Sequence, residues 1–202
     1  MDIKNWLSIM AGALAAIGYI PYILAIFGKQ IKHFRITILG KPTKPIKASW
    51  IIWSSLDWLV LIGMYLKDSM NGQILMMGIG SLVVMLLSFK YGRPGWTRIE
   101  KLCLLGVVLG GVMLWFKDPL LGIIIGLVIQ GLGSIPTYIS SWEDPSRENR
   151  SGWTFGFISS IAVILSISSW TLAKALQPVA FLLMGVPMMF ILYFRSETLK
   201  ER

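Results

Sequence analysis

Seven long apolar stretches constrain the fold of this chain more than any other feature of its sequence. They are separated by shorter polar segments and lie at roughly 6–27, 48–66, 73–89, 99–116, 119–140, 153–173 and 176–195. Each is about 17 to 22 residues long, the length at which a helix crosses the hydrocarbon core of a bilayer. Hydrophobic residues make up 55% of the chain, and a soluble domain would need polar faces to interrupt such stretches. The sequence therefore predicts an all-α integral membrane protein with seven transmembrane helices.

Basic residues are unevenly divided between the two sides of the predicted membrane. Fifteen of the 19 lysines and arginines fall on the side that holds the long loop 28–47 and the C-terminus. Positively charged loops remain in the cytoplasm, so we expect the N-terminus outside and the C-terminus inside a cell inner (cytoplasmic) membrane. The loop 28–47 is expected to contact anionic lipid. The net charge of +9 does not indicate nucleic-acid binding, because the sequence has no basic domain.

Three short motifs recur in the same order in the two halves of the chain. The pairs are Gly18 to Pro21 with Gly133 to Pro136, Ser49-Trp50 with Gly152-Trp153, and Met77-Gly78 with Met184-Gly185. This order indicates duplication of a three-helix unit. Three helices reverse the direction of the chain and a fourth reverses it again, so both units would enter the membrane from the same side. We therefore predict a first unit at 1–98, a linker helix at 99–118 and a second unit at 119–202.

This plan, with a proline in the first helix of each unit, resembles the SWEET and PQ-loop transporter superfamily, and within it a group of prokaryotic members. Pro21 and Pro136 stand where the family has proline, but neither is followed by glutamine. The predicted third helices also lack the asparagine of the sugar-transporting members. The resemblance implies a transporter for a small polar solute that works by alternating access. A non-transporting membrane receptor or assembly factor is the alternative, since the KDEL receptors share the architecture.

The two repeated prolines each interrupt the backbone hydrogen bonding of a predicted transmembrane helix. Such kinks also occur in membrane helices for purely structural reasons. Because Pro21 and Pro136 occupy matching positions in the two units, the family resemblance implies that they act as hinges.

Asp57 is the only acidic residue inside a predicted span away from its ends. If the helix begins near Ala48, the residue lies roughly 13 Å into a core of ~30 Å. A carboxylate at that depth is costly unless it faces protein or water, is paired, or holds a proton. No lysine or arginine falls inside a span away from its ends. We therefore expect Asp57 to be protonated in at least one state, and either to couple transport to protons or to contact a cationic substrate; the alternative is an interhelical hydrogen bond that only stabilises packing.

Three further residues complete the predicted substrate site with Asp57. Trp53 shares the helix face of Asp57, where it could stack on a planar or cationic ligand or equally fill the core. Ser160 is the counterpart of Asp57 under the repeat offset of the second helices. Gln130 is the other deep polar residue and could belong to a pocket or to packing. It lies on a small-residue stripe, expected to serve close helix packing, with Gly122, Gly126 and Gly133.

Catalytic and metal chemistry are not indicated. The single cysteine, Cys103, falls inside a predicted span, and the single histidine, His33, falls in the basic loop without nearby ligands. Nucleotide-binding and hydrolase motifs are absent from any usable context. The sequence thus predicts a non-enzymatic membrane protein without a cofactor or metal, whose partners are a small polar solute and lipid. It leaves the oligomeric state open.

Overall fold

The computed structural model describes residues 2–27, 44–96, 98–116 and 118–195. Over these residues the chain forms seven α-helices: α1 Ile3–Phe27, α2 Lys47–Leu66, α3 Gly72–Tyr91, α4 Arg98–Trp115, α5 Pro119–Glu143, α6 Arg150–Ser166 and α7 Leu172–Phe190. A 3₁₀ turn at Pro145–Arg147 precedes α6, and a π-helical segment at Ile191–Arg195 continues α7. The all-α prediction is confirmed. Residues 28–43 of the predicted basic loop, and residues 196–202, lie outside the described residues.

Within the described part of the chain, five helices are long and apolar enough to cross a membrane. They are α1, α2, α3, α5, and α7 with its π-helical continuation. The other two are shorter or more polar, because α4 carries Arg98, Glu100 and Lys101 in its first turn and α6 has 17 residues. Five such helices support a membrane protein, whereas the count of seven spans stays a prediction.

The boundary between α6 and α7 differs from the prediction. The sixth span was expected to run to residue 173, but α6 ends at Ser166 and Ile167 takes an extended backbone conformation. The next helix begins after Thr171, whose side chain accepts a hydrogen bond from the Lys174 backbone N–H at 3.4 Å. Serine and threonine compete with helical hydrogen bonding and favour such cap positions. The apolar pattern alone therefore overestimated the length of α6.

The helices pack in two sets of three with the same internal arrangement. In the first set α3 packs against both α1 and α2, and in the second set α7 packs against both α5 and α6. The principal contacts between the sets are α1 with α6 and α2 with α5. The remaining helix, α4, packs against α5 and α2. The fold therefore brings the middle of α2 against α5, where Asp57 and Gln130 lie.

Small residues set the distance between the two sets of helices. A Cβ atom on Gly18 of α1 would lie 3.2 Å from the carbonyl oxygen of Gly152 of α6, and one on Gly152 would lie 3.0 Å from the carbonyl oxygen of Gly18. At the α2–α5 contact, a Cβ on Gly126 would lie 2.9 Å from Cγ2 of Val60. Glycine at these positions lets the helices approach closely. The packing role predicted for Gly126 is confirmed.

An apolar cluster lies beside the middle of α2 and joins it to α3, α5 and α7. Its buried members are Val60, Leu61, Met64, Ile74, Ile123, Leu127 and Phe181, and Trp58 packs against them. Burial of these side chains fixes the rotation of α2, because residues at three- and four-residue spacing share a helix face. That rotation turns Asp57, which precedes the cluster, into the protein interior.

Candidate binding site

Asp57 lies near the middle of α2 and is paired with Gln130 of α5. The side chain of Asp57 is 3% exposed and that of Gln130 is 4% exposed. Gln130 Nε2 donates a hydrogen bond to Asp57 Oδ1 at 2.8 Å. Two of the residues predicted for the substrate site therefore meet at the contact between the two sets of helices.

The hydrogen bonding of this pair is incomplete. Gln130 Oε1 is buried and has no hydrogen-bond partner among the described residues, and the indole Nε1 of Trp58, the residue after Asp57, is also buried without one there. One of these atoms is an acceptor and the other a donor. Nearly all buried polar groups in proteins are satisfied by protein or water, so an unsatisfied group needs an explanation. The arrangement has unused capacity to bind a polar group.

Helices α1 and α3 contribute two hydroxyl groups near Asp57. Ser81 of α3 is fully buried and its side chain faces Asp57. Tyr19 of α1 is close enough to interact electrostatically with the Asp57 carboxyl. The ring of Tyr19 covers Gly80, where a Cβ would lie 2.4 Å from the ring. Glycine at position 80 is thus required for the tyrosine to reach its place.

The charge on Asp57 has no basic partner among the residues that the structure describes. Its neighbours there are Gln130, Ser81 and Tyr19, all of them uncharged at neutral pH. A hydrogen-bonded amide reduces the cost of burying a carboxylate but does not neutralise it. An ionised Asp57 therefore carries a negative charge that is not balanced within the described residues, and one positive charge, either a proton or a cation, would balance it.

Ser160, the fourth residue predicted for this site, takes part in a different polar cluster. Its hydroxyl accepts a hydrogen bond from Gln73 Nε2 at 2.9 Å and donates one to the carbonyl oxygen of Gly156 at 3.1 Å. Gln73 lies in the first turn of α3. The hydrogen bonds of Ser160 thus tie α6 to α3 and do not include Asp57.

This second cluster, which we call the amide chain, consists of Asn71, Gln73, Gln177 and Ser160. Asn71 Nδ2 donates to Gln177 Oε1 at 2.8 Å, and Gln177 Nε2 donates to Gln73 Oε1 at 2.9 Å. Both glutamine side chains are completely buried. Each amide oxygen and nitrogen of the two glutamines has a partner within the protein. The amide chain joins α3 of one helix set to α6 and α7 of the other.

The other residues predicted to be functional do not join the Asp57–Gln130 pair. Trp53 is half-buried on α2, four residues before Asp57, and no hydrogen bond among the described residues connects it to Gln130 or Asp57. Pro21 is buried within α1, and Pro136 is exposed within α5. Both helices continue through their prolines. The hinge role of Pro21 and Pro136 stays a prediction.

Sequence reasoning missed Tyr19, Ser81 and the two glutamines of the amide chain. Ser81 stands in an apolar span directly after Gly80, and a small residue beside a buried hydroxyl is a signal of close helix contact. Gln73 and Gln177 lie near predicted span ends, where polar residues are ordinary. Nothing in their local sequence indicates that residues 104 positions apart form a hydrogen bond.

Comparison with protein-family models, with curated proteins and with solved structures found no match to this chain. The resemblance to the SWEET and PQ-loop superfamily therefore depends on the helix plan and the short motifs alone.

Proposed function

We propose that this chain is a membrane transporter for a small polar solute, that it works by alternating access, and that it takes up a proton at Asp57. The observation that carries the proposal is the incomplete hydrogen bonding of the buried Asp57–Gln130 pair. Leaving a buried polar atom unsatisfied costs about 1–3 kcal/mol. A purely structural pair would gain stability by removing that atom, whereas a binding site needs it for the solute.

The packing of the helices supports two parallel three-helix units, 1–98 and 119–202, joined by α4. If α1, α2 and α3 correspond to α5, α6 and α7, the α1–α6 contact corresponds to α5–α2. The observed contacts between the sets are therefore exchanged by the proposed symmetry. The Asp57–Gln130 pair spans the α2–α5 contact, so movement of one unit against the other would alter it.

The orientation follows from the distribution of basic residues. With the N-terminus outside, α2 would run outward from the cytoplasm and Asp57 would lie near half depth. The amide chain, at the beginnings of α3 and α7, would lie nearer the outer surface. The loop 28–47 would face the anionic lipids of the cytoplasmic leaflet. Tags at the two termini that are accessible from opposite sides would support seven spans; tags on one side would overturn them.

Reconstitution in liposomes with a panel of radiolabelled metabolites tests the transport function directly. We expect one class of solute to accumulate in response to a pH gradient across the liposome membrane. The variant Asp57→Asn keeps the shape of the side chain and mimics its neutral form, so it should insert normally and lose the dependence on the gradient. Asp118→Asn is a matched control, because Asp118 is an N-cap at the start of α5 and asparagine caps as well as aspartate.

Two outcomes would redirect the proposal. If a solute binds to the purified protein but is never taken up, the receptor or assembly-factor alternative is favoured. If Asp57→Asn transports with an unchanged pH profile, Asp57 serves packing only and proton coupling is wrong, while a transport function without it would remain.

A further inference from the structure

The hydrogen bonds around Asp57 also restrict which chemical class of solute can complete the site. A carboxylate and an amide oxygen are both acceptors. Gln130 Nε2 donates to Asp57 Oδ1, and Gln130 Oε1 receives nothing from the described residues. The side chains of the pair therefore present more acceptors than donors. A ligand that brings several N–H groups would correct the imbalance.

Rotation of the Gln130 amide does not remove this deficit. If the amide turned by 180°, Oε1 would face Asp57, and the contact would then require a protonated carboxyl as donor. Nε2 would then occupy the position without a partner. In either orientation of the amide, one polar atom of Gln130 has no hydrogen-bond partner among the described residues. The two orientations differ in the kind of partner that is missing. The ionised form lacks a donor, and the protonated form lacks an acceptor.

The surroundings supply no positive charge that could replace a ligand. The helices packed around this part of α2 contribute Tyr19 from α1, Ser81 from α3, Cys103 from α4, Gln130 from α5 and Phe181 from α7. The tyrosine and the cysteine are the titratable members of this group, and neither can become a cation. Within the described residues, a proton or a cationic ligand is left to balance Asp57.

We propose that the solute is an organic cation with several N–H donors, a primary ammonium or a guanidinium, and that it competes with a proton for Asp57. One N–H would bond to the Asp57 carboxylate and a second to Gln130 Oε1. This inference depends on the proposed binding site and goes beyond it by naming the ligand class and its exclusion by a proton.

Direct binding to the purified protein in detergent tests the ligand class separately from transport. The probes are two pairs of similar shape that differ in charge: guanidinium with urea, and ethanolamine with ethylene glycol. We expect both cations to bind and both neutral compounds to fail. Competition with one proton predicts that affinity for the cations falls about tenfold per pH unit once Asp57 is mainly protonated.

Variants distinguish the contribution of the Asp57 carboxyl to cation binding from that of the Gln130 amide. Asp57→Asn should abolish cation binding at every pH. Gln130→Leu should weaken it about tenfold through the loss of one hydrogen bond to a charged group, while the pH dependence is kept. Gln177→Leu is the matched control, since Gln177 is also a buried glutamine but belongs to the amide chain. Size-exclusion profiles confirm that each variant is folded before its affinity is compared.

The inference would be overturned if urea or ethylene glycol bound as well as its charged counterpart, if neither cation bound, or if cation affinity did not change with pH. Binding that survives Asp57→Asn would also overturn it. Cation binding without uptake in liposomes would instead contradict transport while leaving the ligand class in place. The two proposals can therefore fail independently.

Discussion

The Asp57–Gln130 pair and the amide chain contain similar polar groups but differ in how completely these groups are hydrogen-bonded. Both are buried, both contain glutamine, and both connect the two helix sets. In the amide chain each amide oxygen and nitrogen of the two glutamines has a partner, whereas Gln130 Oε1 in the pair has none among the described residues. A complete set of hydrogen bonds stabilises one arrangement of the helices. An incomplete set leaves an acceptor open at some cost in stability, and the proposed binding site depends on that open acceptor.

The largest expected effect comes from removing the charge of the incomplete cluster. Asp57→Asn should lower proton-driven uptake by roughly tenfold or more, since the energy of one lost ionic hydrogen bond is of that size or greater. Its folding should change little because the side-chain shape is kept. Uptake at several pH values measures the effect on transport, and an immunoblot of the protein amount checks that folding is unchanged. If the variant took up solute at the wild-type rate, the Asp57–Gln130 pair would have no role in transport and would not differ in function from the amide chain.

Replacing Gln177 of the amide chain should mainly lower stability, whereas replacing Gln130 of the pair should mainly affect function. Gln177→Leu leaves Gln73 Oε1 and Asn71 Nδ2 without their partners, so we expect a loss of about 1–3 kcal/mol in the free energy of unfolding. Gln130→Leu removes an unsatisfied oxygen and leaves one acceptor, Asp57 Oδ1, without its donor, so it should cost less at a pH where Asp57 holds a proton. Unfolding in detergent with a chaotrope compares the two variants side by side. Equal losses would mean that the two clusters do not differ in the way described.

Glycine substitutions in α6 test how tightly the helices beside the amide chain are held. Gly152→Ala places a methyl group 3.0 Å from the carbonyl oxygen of Gly18 and should be destabilising, because a backbone atom cannot move aside. Gly156→Ala meets nothing within 4 Å and should be neutral or stabilising by up to about 1 kcal/mol through helix propensity. Melting temperatures of the two variants, one helical turn apart, give the comparison. Equal shifts would contradict the close contact at Gly152.

The smallest effect is expected at Glu148, in the connection between α5 and α6 and outside both clusters. Burial raises the pKa of its carboxyl, and the hydrogen bond from Trp153 Nε1 at 2.9 Å partly opposes the shift. The folded state then binds a proton more tightly than the unfolded state, so stability falls as pH rises from the ordinary pKa toward the raised one. Glu148→Gln should flatten the dependence of the melting temperature on pH in that range. Any pH dependence of stability that remains would then have to come from other groups.

The sequence contained enough information for the helices and for part of the site. Apolar length alone located all seven described helices, because the bilayer-spanning length leaves few alternatives. The acid at half depth was identified since its burial is costly wherever the helix packs. The predicted end of the sixth span was wrong because the apolar pattern continues past Ser166, where α6 ends, into the segment that leads to the cap of α7 at Thr171.

Pairings across helices could not be predicted in the same way. Gln130 was assigned to the site of Asp57 from its depth, and the contact between α2 and α5 is a property of the packed molecule. Gln73 and Gln177 are unremarkable in their local sequence, and their bond depends on how α3 and α7 approach each other. Ser160 was expected beside Asp57 from the repeat, but equivalent positions in two units need not share neighbours once other side chains have diverged.

The buried Cys103 gives the molecule a built-in reporter of conformation. It is the only cysteine in the chain and is 4% exposed, packed against Ile52 and Leu56, the latter adjacent to Asp57. A thiol shielded by α2 reacts slowly with alkylating reagents, because the reagent must first reach it. Any rearrangement that separates α4 from α2 would accelerate that labelling in the unmodified protein. The rate of alkylation, followed by mass spectrometry with and without solute, would therefore record opening next to the acid without an introduced probe.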